Sequence, residues 1–256
     1  MSNRLDQVFA QPGGVLVTYL TAGDPTPQAS LPLFQALIRG GADVLEIGVP
    51  FSDPGADGPA IQRASERALA AGGGLQAALD LAADLPAHVP KVLFGYLNPF
   101  LAYGYERLAE AAVSSGIHGL LCVDCPPEEE PELWQALSAR NIHPILLLAP
   151  TSPDARIASV AGKGSGFLYY VSMTGVTGAA LSAQGAVADR VARVRQLTGL
   201  PVAVGFGVAT PQDVARLAPA SDGVVVGSAL VRLVEQHGAD AAPALEALTR
   251  ALKGGF

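Results

Sequence analysis

The chain has 256 residues and is short of several things that would point elsewhere. It has two cysteines, four histidines and three lysines. No apolar run approaches the ~20 residues that a membrane helix needs, although half the residues are hydrophobic and mean hydropathy is +0.34. Residues 1–7 lack the charged start and apolar core of a signal peptide. A formal net charge of −7 and a pI near 5.0 argue against nucleic acid and anionic membranes as partners. Together these absences imply a soluble, cytoplasmic protein. The two thiols fall in Cys122-Val123-Asp124-Cys125. No second pair exists to complete a zinc site, and Cys122 sits inside an apolar run rather than opening a helix, so they read as reduced thiols near a strand end.

What is present is a rhythm. Apolar, β-branched runs alternate with amphipathic helical stretches. A short helix over 3–10 leads. Strands are expected at 14–20, 43–49, 92–96, 118–123, 144–149, 166–171, 202–205 and 223–226. Helices are expected over 27–39, 59–71, 75–83, 103–115, 130–140, 153–161 and 185–198, from Pro211 to about 218, and over 228–236 and 241–253. Eight strands each followed by helix predict a single (β/α)8 TIM barrel spanning 1–256, with a short N-terminal helix and an extra short helix after strand 8. A doubly wound open sheet would be favoured by G-x-G-x-x-G after the first strand, but Thr21-Ala22-Gly23-Asp24-Pro25 stands there.

In such a barrel, chemistry sits where strands end. Along Val44-Leu45-Glu46-Ile47-Gly48-Val49, successive side chains alternate faces, so Glu46 points opposite to Leu45, Ile47 and Val49. A carboxylate in such a strand is either a paired structural group or a reacting one. Asp57 follows in a Gly/Pro-rich loop, where backbone donors would keep it ionised. Asp53 is a third acid, readable as solvent-facing loop. Tyr19, Tyr96, Asp124 and Tyr169 also fall near strand C-terminal ends. The histidines (88, 118, 143, 237) and lysines (91, 163, 253) do not, and read as bottom-face or surface groups. That leaves no lysine for a Schiff base and no convergent metal ligands, so no metal site is expected. Proton transfer falls to two carboxyls, with Glu46 raised toward neutrality by its apolar setting. Glycines recur after strands 6, 7 and 8, at Gly175 and Gly178, at Gly205 and Gly207, and at Gly227 before Ser228. Such turns beside a helix N-terminus suit a phosphate.

The run Leu45-Glu46-Ile47-Gly48-Val49-Pro50-Phe51-Ser52-Asp53-Pro54, with Ala56-Asp57-Gly58-Pro59, resembles the signature of the tryptophan synthase alpha subunit family. The resemblance extends over essentially the whole chain. It takes in Thr21 to Asp24-Pro25, Tyr96 with Asn98-Pro99, Asp124, Gly175-Val176-Thr177-Gly178, Gly205-Phe206-Gly207 and Gly227-Ser228. It implies retro-aldol cleavage of indole-3-glycerol phosphate to indole and glyceraldehyde 3-phosphate. Glu46 would be the general acid/base and Asp57 the acceptor for the indole N–H. Tyr19, Tyr169 and Thr177 would bind substrate, and Gly178, Gly207, Gly227 and Ser228 the phosphate. It also implies a beta-subunit partner in an α2β2 complex, contacted through Pro50, Phe51, Asp53 and Asn98. Pyridoxal phosphate belongs to that partner, and the alpha chain needs no cofactor. Gly55 and Met173 depart from the family, which commonly has a larger residue and an arginine there. Loops 50–60 and 172–188 are expected to move without ligand. Two alternatives remain open on the residues alone: another metal-independent barrel lyase or isomerase acting on a sugar phosphate, and a non-catalytic subunit that only activates a partner.

Overall fold

A computed structural model describes residues 3–171, 180–205 and 207–256, with side chains in the helix that starts at 180 described from residue 187. Eight parallel strands close on one another in sequence order, β8 pairing back to β1. They are β1 (Val15–Thr21), β2 (Val44–Gly48), β3 (Lys91–Gly95), β4 (Gly119–Cys122), β5 (His143–Leu148), β6 (Leu168–Val171), β7 (Val202–Gly205) and β8 (Gly223–Val226). The helices between them are α2 (Pro27–Gly40), α3 (Pro59–Ala70), α4 (Leu75–Asp84), α5 (Leu97–Tyr103), α6 (Tyr105–Ser114), α7 (Pro131–Ser138), α8 (Asp154–Val160), α9 (Ala180–Thr198) and α10 (Pro211–Leu217). The helix α1 (Arg4–Phe9) precedes the barrel, and α11 (Ser228–His237) and α12 (Ala242–Lys253) follow β8. This is the (β/α)8 barrel expected from the alternation of elements.

Strand periodicity sorts the core into two layers. Val15, Val17, Val44, Val92, Leu121, Ile145, Phe167, Tyr169, Ala203 and Val225 pack together inside the barrel. Their strand neighbours Leu16, Leu45, Ile47, Leu93, Leu168, Val202, Val204, Val224 and Val226 pack outward under the helices. Leu5 from α1 belongs to the inner cluster and is fully buried, while Phe9 stacks on Phe167 at 4.8 Å between ring centroids. The side chain of Asn3 accepts from Leu5 N at 3.0 Å and donates to the carbonyls of His118 and Asn141 at 2.9 and 2.8 Å. The leading helix thus plugs the end of the barrel where the strands begin.

Three boundaries differ from expectation for physical reasons. The helix expected over 103–115 is α6, and a second helix, α5, precedes it unexpectedly; the two part at Gly104, whose φ of +89° suits glycine. Residues 180–184, ahead of the helix expected from 185, are already the start of α9, where an Ala-rich run has high helix propensity. Lys91 lies within β3 and is 1% exposed. Its Nζ donates to the carbonyls of Ala82 and Leu85 at 2.7 and 3.3 Å, satisfying the C-terminal end of α4.

Candidate active site

The C-terminal ends of the strands surround a cavity. Glu46 and Asp57 both line it, together with Tyr19, Tyr169, Gly207, Gly227 and Ser228. The sequence had separated these residues by up to 209 positions, and barrel closure brings them to one site. Thr177, Gly178, Gly175 and Met173 lie outside the described residues.

Glu46 sits in β2 opposite Tyr19 of β1 and Val92 of β3. It is 1% exposed, and its Oε1 has no hydrogen-bond partner among the described residues. Burial without a partner pushes its carboxyl up to about 8. Asp57 is half-buried in the turn before α3. Its own burial raises it to about 6, and a hydrogen bond from the Tyr96 hydroxyl, 3.0 Å from Oδ2, pulls in the opposite direction. The expected backbone donors to this carboxylate are not what holds it; a phenol from the end of β3 does. The two acids nevertheless differ in basicity in the anticipated order. At neutral pH Glu46 carries a proton and Asp57 is mostly ionised.

Tyr19 and Tyr169 are both buried, and burial raises their hydroxyls, so both stay neutral donors. Each ring lies over a glycine of the next strand. A Cβ on Gly48 would stand 2.3 Å from the Tyr19 hydroxyl, and one on Gly205 the same distance from that of Tyr169. Gly205, expected to serve an anion turn, instead makes room for a ring. Gly207, two residues on, has φ +76° and does line the cavity. Gly227 is the N-cap of α11, with no side-chain cap, so the first N–H groups of that ten-residue helix open toward the cavity rim.

Sequence reading missed the apolar part of the lining. Phe94, Ile61, Val208 and Val225 face the same space, and Tyr19 meets Phe94 edge-on at 5.2 Å. Phe94 and Val225 were findable, since each stands two residues from an inward-facing neighbour on its own strand. Ile61, one turn into α3, carried no such signal. None of the four histidines or three lysines lines the cavity. Of the interface candidates, Asp53 and Asn98 are exposed, but Pro50 is buried within the chain and Phe51 leans on Tyr96 at 5.2 Å. Leu101 on α5, not anticipated, is 52% exposed.

The family model for the tryptophan synthase alpha chain matches residues 5–254. The chain belongs to the tryptophan synthase alpha chain family. A tryptophan synthase alpha chain from Novosphingobium aromaticivorans is 50% identical over 252 residues, 97% of this chain and 95% of that one. One from Citrifermentans bemidjiense is 49% identical, covering 100% of this chain and 97% of its own. Among solved structures, tryptophan synthase subunit alpha from Legionella pneumophila superposes with a TM-score of 0.91 at 35% identity, over 100% of this chain and 98% of that one. The aminoacrylate-bound tryptophan synthase of M. tuberculosis gives 0.89 at 34% identity, over 99% of both chains. The alpha-chain signature of this member maps onto β2 and the turn before α3, which deliver both cavity acids.

Proposed function

We propose that this chain cleaves indole-3-glycerol phosphate to indole and glyceraldehyde 3-phosphate, with Glu46 as general acid/base and Asp57 as electrostatic partner. By family the chain is a tryptophan-biosynthetic lyase, and the residue roles are those that the resemblance implies. The single observation that carries it is two carboxyls of unequal basicity on one cavity, which a glycine-edged helix N-terminus also lines.

The protonated Glu46 delivers its proton to C3 of the indole ring. Positive charge then develops at the ring nitrogen, whose N–H donates to the Asp57 carboxylate. Glu46, now a carboxylate, takes the proton from the side-chain hydroxyl next to the ring. The bond between ring and side chain breaks, its electron pair returns to the ring, and the hydroxyl carbon leaves as the aldehyde. Glu46 ends protonated, ready for the next turnover. An acid of pKa about 8 in an apolar wall suits both halves of this exchange. Phe94, Ile61 and Val225 supply an apolar surface for the indole, and Tyr19 and Tyr169 flank it. The phosphate would lie against Gly207, Gly227 and Ser228, where α11 presents unpaired N–H groups and its positive dipole end. Family resemblance adds Thr177 and Gly178.

A beta subunit is the partner that family membership brings. In this reading the assembly is an α2β2 complex in the cytoplasm. It forms through Phe51, Asp53 and Asn98, with the exposed Leu101 beside them. Pyridoxal phosphate would reside on the beta subunit, because no lysine of this chain borders the described cavity.

The test is indole release from indole-3-glycerol phosphate, followed for the native chain and for Glu46→Gln, alone and with a beta subunit. Glu46→Gln is expected to lose at least ~10²-fold in kcat, the lower scale for a lost general acid. Full-rate cleavage by the variant, or no indole from the native chain in either setting, would overturn the reading.

A further inference from the structure

Tyr96 stands where three elements meet. It follows β3 directly, serves as the N-cap of α5, and is 5% exposed. Its hydroxyl donates to Asp57 Oδ2 at 3.0 Å and accepts from the N–H of Ala56 at 3.1 Å. One oxygen therefore grips both the carboxylate and the peptide just before it. The ring is held from the other side by Phe51, centroid to centroid 5.2 Å. The next peptide is fixed too, since Leu97 N donates to Asp124 Oδ1 at 2.8 Å. Among the described residues, no other donor reaches the Asp57 carboxylate.

We infer that Tyr96 is a positioning residue, which aims the Asp57 carboxylate at the bound substrate and keeps it anionic at neutral pH. This rests on the proposed role of Asp57 as acceptor for the indole N–H. A hydroxyl that donates to a carboxylate favours its charged form. The titratable groups facing Asp57 around the cavity are Tyr19 from β1, Glu46 from β2 and Tyr169 from β6. All three are held in their neutral forms at pH 7 by burial, so none offers a cation in compensation. The O–H of Tyr96 is then the group that offsets the burial of Asp57.

Tyr96→Phe keeps the ring and its contact with Phe51 and removes only the oxygen. The experiment is kcat/KM for indole release against pH, from 5 to 9, in the native chain and in Tyr96→Phe. A titration with glycerol 3-phosphate and the same substitution in Asp57→Asn accompany it. The acid limb, near 6 in the native chain, is expected to move up by about one unit on loss of the donor. The deficit should be about tenfold below pH 6 and narrow toward pH 8. Affinity for glycerol 3-phosphate should hold within about twofold, and Tyr96→Phe should cost little more in Asp57→Asn, because the two groups act as one unit. A uniform loss at every pH with the limb unmoved, or full additivity with Asp57→Asn, would overturn the role. If the native chain releases no indole, the functional reading fails instead. Carbon-13 titration of the Asp57 carboxyl then still decides, an unchanged midpoint in Tyr96→Phe counting against the inference.

Discussion

Oε1 of Glu46 meets neither solvent nor a hydrogen-bond donor among the described residues, and that has a consequence beyond the reaction. A carboxyl at about 8 in the folded chain, against an ordinary 4.5, binds its proton more tightly folded than unfolded. Between those values the unfolded chain carries fewer protons, so stability falls as pH rises through the window. Below the ordinary value the group costs nothing by ionisation. Glu46→Gln removes the titration. It is expected to be more stable than the native chain at pH 8 by ~2 kcal/mol or more, with the difference closing toward pH 5. Urea melts at pH 5, 6, 7 and 8 check this, and a difference that ignores pH would mean that Glu46 bears no burial cost. Such strain is common where a reacting group must stay poised. The alternation along residues 44–49 was enough to turn Glu46 inward, because strand geometry is local. The donor to Asp57 was not legible, because Tyr96 lies 39 residues away and only barrel closure makes them neighbours.

Between neighbouring strands the same device appears twice: a tyrosine ring laid over a glycine, Tyr19 of β1 on Gly48 of β2 and Tyr169 of β6 on Gly205 of β7. The parallel register sets this up, pairing Tyr19 with Glu46 and leaving Gly48 one step further along the same face. Gly48→Ala would drive a methyl into a ring that is 5% exposed and bonded to Thr21 at 3.2 Å. The expected cost is about 1–3 kcal/mol of stability, the range for overpacking, together with a raised KM as Tyr19 tilts into the substrate space. Urea melts and initial rates measure the two effects, and a variant unchanged in both would show that the ring has room elsewhere. The sequence reads Gly205 as turn material and Gly48 as an ordinary strand position, since a glycine reserved for a distant ring looks like any other in the chain. α5 was not expected at all; its first N–H is satisfied by the carboxylate of Asp124 in the turn after β4.

Across the whole barrel, the two ends divide the work. Strand C-termini carry the acids, the tyrosines and the helix N-terminus of the cavity, while the opposite end is given over to closure. There Leu5 fills the mouth, and Lys91 joins β3 to the end of α4. Lys253 of α12 donates to Asp43 at 2.6 Å and to the carbonyl of Gly14 at 3.1 Å, while Asp43 also accepts from Leu16 N at 2.7 Å. The C-terminal helix is thereby fastened to the starts of the first two strands. Strand order was legible, because each βα unit is a local pattern repeated eight times. The plug was legible only as a helix, because what it covers is assembled from strands spread from residue 15 to residue 225. This division makes Leu5 the residue at which stability and activity should separate. Leu5→Ala removes a fully buried side chain from the inner cluster and is expected to cost about 2–5 kcal/mol. The cavity acids lie at the far end of the strands, so kcat/KM for indole release well below the melting temperature should stay within about twofold of the native chain. Thermal melts and initial rates on the same preparation compare the two. A loss of activity in step with the loss of stability would mean that the plug reaches the acids through the packed interior, and that the ends are not independent.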